Sequence, residues 1–562
     1  MRYLLISLFF ISTQLLGQFR SNYTPTYKEA IEYYERIAAD HPSKAKLETI
    51  GKTDSGKPLH YLVIDPKGEF SPTASDKNEQ TVVMIMNGIH PGEACGINAS
   101  ISFALQKAAE PKGDVVYVII PIYNVGGALN RNSTSRANQN GPEEYGFRGN
   151  AKNLDLNRDF VKADSKNAFA FTRLFQLWKP HILIDTHTTN GADYQPNITL
   201  LSPFPEKLFP MQSTFLKREF EPYLYDYMKE INDEMIPYVN FRGNTPEDGI
   251  YAFIDHPRYS SGYAALFNTI GFTLEAHMLK SFDQRVASTL NFIAAVDKFA
   301  SERGEVIRKI KAIADKETKK QESFYTKWQV NTAIDSLEFP GYETTMSKSI
   351  LSGAEFIEYD STKPYRRLVP YYNEVIGFYR SVVPKSYLIP QGWSEVIARL
   401  EANDVEMTRF DSDTVVTVTA KYVSYYETAE TPYEGHYLHK NTGVVERKEQ
   451  IQFFAGDVLI STEQLARRYL ANTLDPQSED SFFNWNFFDS VLNQKEYFSS
   501  YLFEKTAGEI LERDHMLRRT LELKKSKDPS FADDAKAQLK FVYENSKYYE
   551  KGHLRLPVFE IR

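Results

Sequence analysis

Four short runs of near-continuous apolar residues constrain the fold most: TVVMIMN (81–87), VVYVIIP (115–121), HILIDT (181–186) and FTLEA (272–276). A strand that is apolar on both sides cannot face water and must be covered by a layer above and a layer below. That is the pattern of a mainly parallel sheet rather than of a half-exposed antiparallel one. Helical periodicities separate the runs, as in ACGINASISFALQKAAE (94–110) and DSKNAFAFTRLFQLW (164–178). Thr26-Tyr27-Lys28-Glu29 has the form of a capping box and opens an amphipathic stretch to Ala38. The expected fold class from residue 24 to about 304 is α/β, with a mixed, mainly parallel central sheet and helices on both faces.

The remainder reads differently. A charged helical stretch (301–321) leads out of the α/β region, either as a linker or as the last helix of the first domain. Residues 326–460 are rich in Tyr, Thr, Val and Pro and include the alternating run TVVTVTAKYV (414–423), a β signature. Residues 461–550 return to helical patterns, GEILERDHMLRRTLELKK (508–525) being the clearest. With 562 residues, more than one folded unit is expected. The division is 1–17 leader, 18–304 first domain and 305–562 a C-terminal extension, β-rich to about 460 and then helical, with no assignable role.

The leader is Met1-Arg2-Tyr3, the apolar run 4–16 and Gly17, the form of a secretory signal peptide. The run is shorter than the roughly 20 residues a membrane helix needs. Export to the periplasm or the medium is the expectation, with no membrane span. A single cysteine, Cys95, cannot form an internal disulfide there. The formal charge of −8 (66 basic against 74 acidic residues) argues against a nucleic-acid partner held through phosphates. Oligomeric state cannot be read.

Several residues could carry chemistry. His90-Pro91-Gly92-Glu93 follows the first strong strand, and its spacing sets an imidazole and a carboxylate on one side of a turn. Both are zinc donors, although such a pair alone is a weak signal. HILID runs into Thr186-His187-Thr188, so His187 stands at the carboxyl end of a buried strand, where open α/β sheets place ligands. Between them lies Asn153-Leu154-Asp155-Leu156-Asn157-Arg158-Asp159-Phe160, with Arg131, Arg136 and Arg148 upstream. An arginine fork beside an asparagine suits carboxylate recognition; a surface salt-bridge cluster is the alternative. Glu275 ends the apolar run FTLEA, where an acid is costly unless paired, metal-linked or functional.

In this order HPGE, LDLNRDF, DTHTTN and FTLEA resemble the zinc metallocarboxypeptidases of the carboxypeptidase A type, over about residues 24–300; HPSKAKLETIGKTDSGKPLHYLVI (41–64) is similar to that family's opening strands. The resemblance implies one zinc ion per chain held by His90, Glu93 and His187. It implies that Asp155 orients a zinc-binding histidine, that Asn157 and Arg158 hold the substrate's terminal carboxylate, and that Glu275 is the general base. An arginine that stabilises the oxyanion is expected at Arg136, in SRANQNGP, with Arg148 as competitor because GPEEYGFRGNAKN widens the usual spacing. The family's mobile tyrosine has no secure match: Tyr263 is preferred, Tyr259 next, and Tyr251 lies in the same region.

The implied activity is zinc-dependent hydrolysis of peptide bonds at or near the C-terminus of a peptide with a free carboxylate. The alternatives are a zinc amidase acting on cell-wall peptides or acylated amino acids, and a non-catalytic peptide-binding protein. Cys95, His277 and the aromatic cluster Phe482–Phe488 are read as packing residues, the cluster in a core or an interdomain contact. His436 and His439 are read as exposed loop residues.

Overall fold

The computed structural model describes residues 19–562, apart from Lys112 and Asn190. The expected signal peptide lies outside the described residues. The central sheet is built from β1 (Ala45–Lys52), β2 (Pro58–Ile64), β3 (Thr81–Met86), β4 (Val115–Ile120), β5 (Ile182–Thr189), β6 (Ile198–Leu201), β7 (Ile236–Pro237) and, after the short β8 (Ile250–Tyr251), β9 (Ile270–His277). Its order is β1-β2-β4-β3-β5-β9-β6-β7. The central four, β4-β3-β5-β9, are parallel; β2 and β6 flank them antiparallel, β1 pairs antiparallel with β2 and β7 parallel with β6. All four apolar runs of the sequence are strands of this parallel centre.

Every residue of β3, β4 and β5 is buried, as a two-sided cover requires. The period-2 alternation of a strand assigns each side chain to one of two cores. Val83, Ile85, Ile119, Ile182 and Ile184 pack under the helices Tyr27–Asp40, Cys95–Ala109 and Phe282–Thr318. Val82, Met84, Val118 and Leu183 face the opposite core with Phe171, Leu174 and Phe175 of helix Lys166–Trp178. Helix Tyr27–Asp40 starts with the capping box read from Thr26 and Glu29. Helix Cys95–Ala109 lies tightly on the sheet because Gly96 has no side chain; a Cβ there would sit 2.0 Å from Thr186 Oγ1. This close approach brings the His90–Glu93 turn against the end of β5.

Three features of the extension come from the tertiary packing. The boundary at 304/305 falls inside the single helix Phe282–Thr318, so no linker separates the halves. The second core is shared: Tyr387, Ile389, Leu400, Tyr469 and Phe482 of the extension pack with Phe160, Phe175 and Phe267. After the helical region a last strand, Phe559–Ile561, returns into a six-stranded sheet with the long hairpin Thr414–Thr428 and His439–Phe453. The helix expected over 508–525 is broken at Asp514, whose side chain accepts from the backbone N–H groups of Met516 and Leu517 and caps a new helix, His515–Lys527. Among the described residues no helix is long and apolar enough to cross a membrane.

Candidate metal centre and active site

The site forms at the carboxyl ends of β3, β5 and β9. Past β3 the backbone turns at His90–Glu93, closed by the Glu93 N–H donating to the His90 carbonyl at 2.8 Å. β5 delivers His187, and in the parallel register of β5 and β9 its partner is Glu275. Paired residues on adjacent strands send their side chains from the same face, so the sheet itself sets Glu275 beside His187.

His90, Glu93 and His187 are each only 3% exposed, and their donor atoms lie within 4.8 Å of one another. The inward nitrogens are both Nδ1: that of His90 is 3.3 Å from Glu93 Oε1, and that of His187 is 3.0 Å from Glu93 Oε2. The outward nitrogens are both held by carboxylates, His90 Nε2 by Asp155 Oδ1 and His187 Nε2 by Asp185 Oδ2, each at 2.8 Å. His90 Nδ1 is buried without a hydrogen-bond partner among the described residues. An orphaned buried nitrogen is costly for a fold and natural for a metal ligand. Two imidazoles and one carboxylate, with each imidazole oriented from behind by a carboxylate, fit a catalytic zinc ion that keeps an open position.

Asp185 is the residue that motif reading missed. It is fully buried and also accepts from Ser260 Oγ at 2.5 Å. Its signal was local: Asp-Thr-His on a strand puts residues i and i+2 on one face. Asp185→Asn removes the charge behind His187 and is expected to weaken zinc affinity about 10–100-fold. Competition titration with a chromophoric chelator checks this.

The surrounding charge is arranged around Glu93. Arg136 Nη1 donates to Glu93 Oε1 at 3.0 Å, its Nε to Gln139 Oε1 at 2.6 Å and its Nη2 to the Thr188 carbonyl at 3.4 Å. Arg148 grips Asp155 Oδ2 through Nε at 3.0 Å and Nη2 at 2.8 Å, with Nη1 at 3.5 Å from Glu93. Burial alone would push the Glu93 carboxyl up. The charges of His90 and Arg136 and the hydrogen bond from His187 overcome it and hold it well below the usual carboxylate range. Asp155 is likewise held down against burial by His90, Arg148 and Arg158. Glu275 goes the other way: burial pushes it up to about 7, the repulsion of Glu93 adding to it and the attraction of His187 opposing it. A carboxyl so poised suits proton transfer near neutrality.

A cavity of about 490 Å³ unites these groups: His90, Glu93, Arg136, Arg148, Asn157, Arg158, His187 and Glu275 line it. Leu201, Tyr238 and Phe253 form an apolar part of the wall that the sequence reading did not include. Tyr263 is not at this cavity, which corrects that expectation. It is fully buried among Phe160, Phe171, Phe175 and Phe267, and its hydroxyl donates to Asn403 at 2.7 Å. One turn of the helix Ser260–Leu266 points it into the core, whereas Tyr259, the N-cap, faces the cavity. The Arg158 guanidinium lies over the Tyr259 ring, 4.5 Å from its centre.

Cys95 is buried beside the His187 carbonyl, and His277 is buried on Asp193, as packing roles require. Phe482, Phe483, Trp485 and Phe488 are buried, and Trp485 meets Arg258 and Lys162 of the first domain. The two extension histidines are not exposed loop residues. His436 Nε2 bonds Asp164 at 2.6 Å, and His439, 3% exposed, bonds Asp489 at 3.0 Å.

The family model described as zinc carboxypeptidase matches residues 30–184, which include His90, Glu93, Arg136, Arg148, Asp155, Asn157 and Arg158. "Probable carboxypeptidase 2" of Trichophyton verrucosum (strain HKI 0517) is 22% identical over 475 residues, 78% of this chain and 83% of that protein. Among solved structures, a metallo-carboxypeptidase from Burkholderia cenocepacia is 17% identical over 49% of this chain and 70% of that one, with a TM-score of 0.36. The carboxypeptidase A from Helicoverpa armigera is 15% identical over 55% and 81%, with a TM-score of 0.38. The family match over residues 30–184 and the curated relative make this chain similar to the zinc carboxypeptidases and support a metallopeptidase hydrolase.

Proposed function

We propose that the protein hydrolyses the peptide bond at or near the C-terminus of peptides that carry a free terminal carboxylate. The observation that supports this most is a single cavity holding a His2Glu donor set, the carboxyl of Glu275 and an Asn-Arg pair. A zinc ion at His90, Glu93 and His187 would supply Lewis-acid polarisation of the scissile carbonyl and a lowered pKa for the attacking water.

Glu275 then accepts the proton of that water and returns it to the leaving amine. Arg158 and Asn157 bind the terminal carboxylate, which selects the bond that reaches the reactive centre. Arg148 meets the developing oxyanion better than Arg136. Both guanidinium groups are held by acceptors, but the Arg148 side chain is 45% exposed at the cavity against 15% for Arg136, so it has the room to meet a substrate oxygen. Such an electrostatic contact is a large part of the barrier reduction in acyl transfer.

The test is a matched peptide pair, free acid and C-terminal amide, with products identified by mass spectrometry. The free acid is expected to be cleaved far faster, with release of its C-terminal residue. Equal rates on the two would overturn the assignment of Arg158 to a carboxylate and favour an amidase.

A further inference from the structure

A tight turn of the extension reaches the candidate site. The strands Thr414–Thr428 and His439–Phe453 are joined over Tyr433-Glu434-Gly435-His436, where Tyr433 N–H donates to the His436 carbonyl at 2.7 Å and His436 N–H returns the bond at 3.1 Å. Glu434 (φ 50°) and Gly435 (φ 85°) are both left-handed, the mark of a two-residue type I′ hairpin whose twist matches its strands. This is a stiff presentation. Its side chains land on the loop that bears the expected substrate-binding residues. Arg158 Nε donates to Tyr433 Oη at 2.8 Å, the Asp155 N–H donates to Glu434 Oε2 at 2.7 Å, and His436 bonds Asp164.

The chemistry of the Arg158 contact is informative. Its partner is a neutral phenol, so the guanidinium is oriented without being neutralised. The one carboxylate within 4.0 Å among the described residues is Asp155, at 3.9 Å from Nη1. Tyr259 covers one face of the guanidinium, Tyr433 holds Nε, and the Asn157 carbonyl holds Nη1 at 2.8 Å. The Tyr433 ring is itself fixed by stacking on Trp485, centres 6.2 Å apart and planes at 22°. A cation so braced is pre-organised and still charged, the state in which it binds an anion at least entropic cost.

We propose that Tyr433 is a positioning residue for the substrate's terminal carboxylate: acting through Arg158, it makes the extension part of the carboxylate subsite. This rests on the carboxypeptidase reading given above. The test uses the zinc-loaded full chain and the free-acid and amide peptides. Tyr433→Phe keeps the ring stack on Trp485 and removes only the hydroxyl. KM for the free acid is expected to rise about tenfold, the usual cost of losing a hydrogen bond to a charged group, with kcat within about twofold and the amide unaffected. In an Arg158→Lys background the same change should add little, because its effect runs through the guanidinium. An unchanged KM in Tyr433→Phe, or a fully additive penalty in the double variant, overturns the role of Tyr433 and leaves the carboxypeptidase reading intact. A wild-type enzyme that does not distinguish acid from amide overturns both.

Discussion

Glu275→Gln is expected to lower kcat by about 10²–10⁴-fold while leaving fold and zinc content unchanged. The residue is not among the three donors, and glutamine fills the same space, so only the capacity to accept a proton is lost. Its position follows from the strand register: Glu275 pairs with His187 across β5 and β9, and burial raises its carboxyl to about 7. A base much more acidic than this would hold the proton too weakly, and one much more basic would already be protonated at neutral pH. Zinc stoichiometry, thermal melting and kcat measured on one preparation check the prediction. Full turnover in a folded, zinc-loaded Glu275→Gln protein would sink the assignment.

The second large effect is that of the metal. Chelation followed by dialysis is expected to reduce turnover by about 10³-fold or more, corresponding to the several kcal/mol a Lewis acid contributes, and stoichiometric zinc should restore it. The same ion should raise the melting temperature, because it binds the folded donor set and has no preformed site in the unfolded chain. At a free concentration of about 1,000 times Kd this linkage stabilises by about 4 kcal/mol. His187→Ala should lose both the activity and the zinc-dependent rise in melting temperature. Undiminished turnover after rigorous chelation is the outcome that excludes this chemistry.

Much of the site is legible in the amino-acid sequence. His90, Glu93, Asp155, Asn157, Arg158, His187 and Glu275 sit in short motifs next to strongly apolar strands, and those strands follow from hydrophobic pattern alone. Other features depend on geometry that a motif does not encode. Asp185 is two residues from His187, but its role depends on β5 extending through Thr189 with both side chains on one face. Tyr259 and Tyr263 are separated by one helical turn; which of them meets the cavity depends on which side of that helix the shared core covers. His436 and His439 lie in a segment whose composition is that of a surface hairpin, and only its docking on Asp164 and Asp489 half-buries the first and buries the second.

The amino-acid sequence by itself determined the parallel centre of the sheet, the alternation of its two apolar faces and the donor residues at its carboxyl edge. Those properties arise from local periodicity and residue chemistry, which act over a few positions. The tertiary structure alone decided that the two halves share one core and are joined by an unbroken helix, Phe282–Thr318, and that Tyr433 reaches Arg158 across 275 positions of chain. Contacts of that separation depend on how complete surfaces pack, since no local pattern records which distant loop will cover a given cavity.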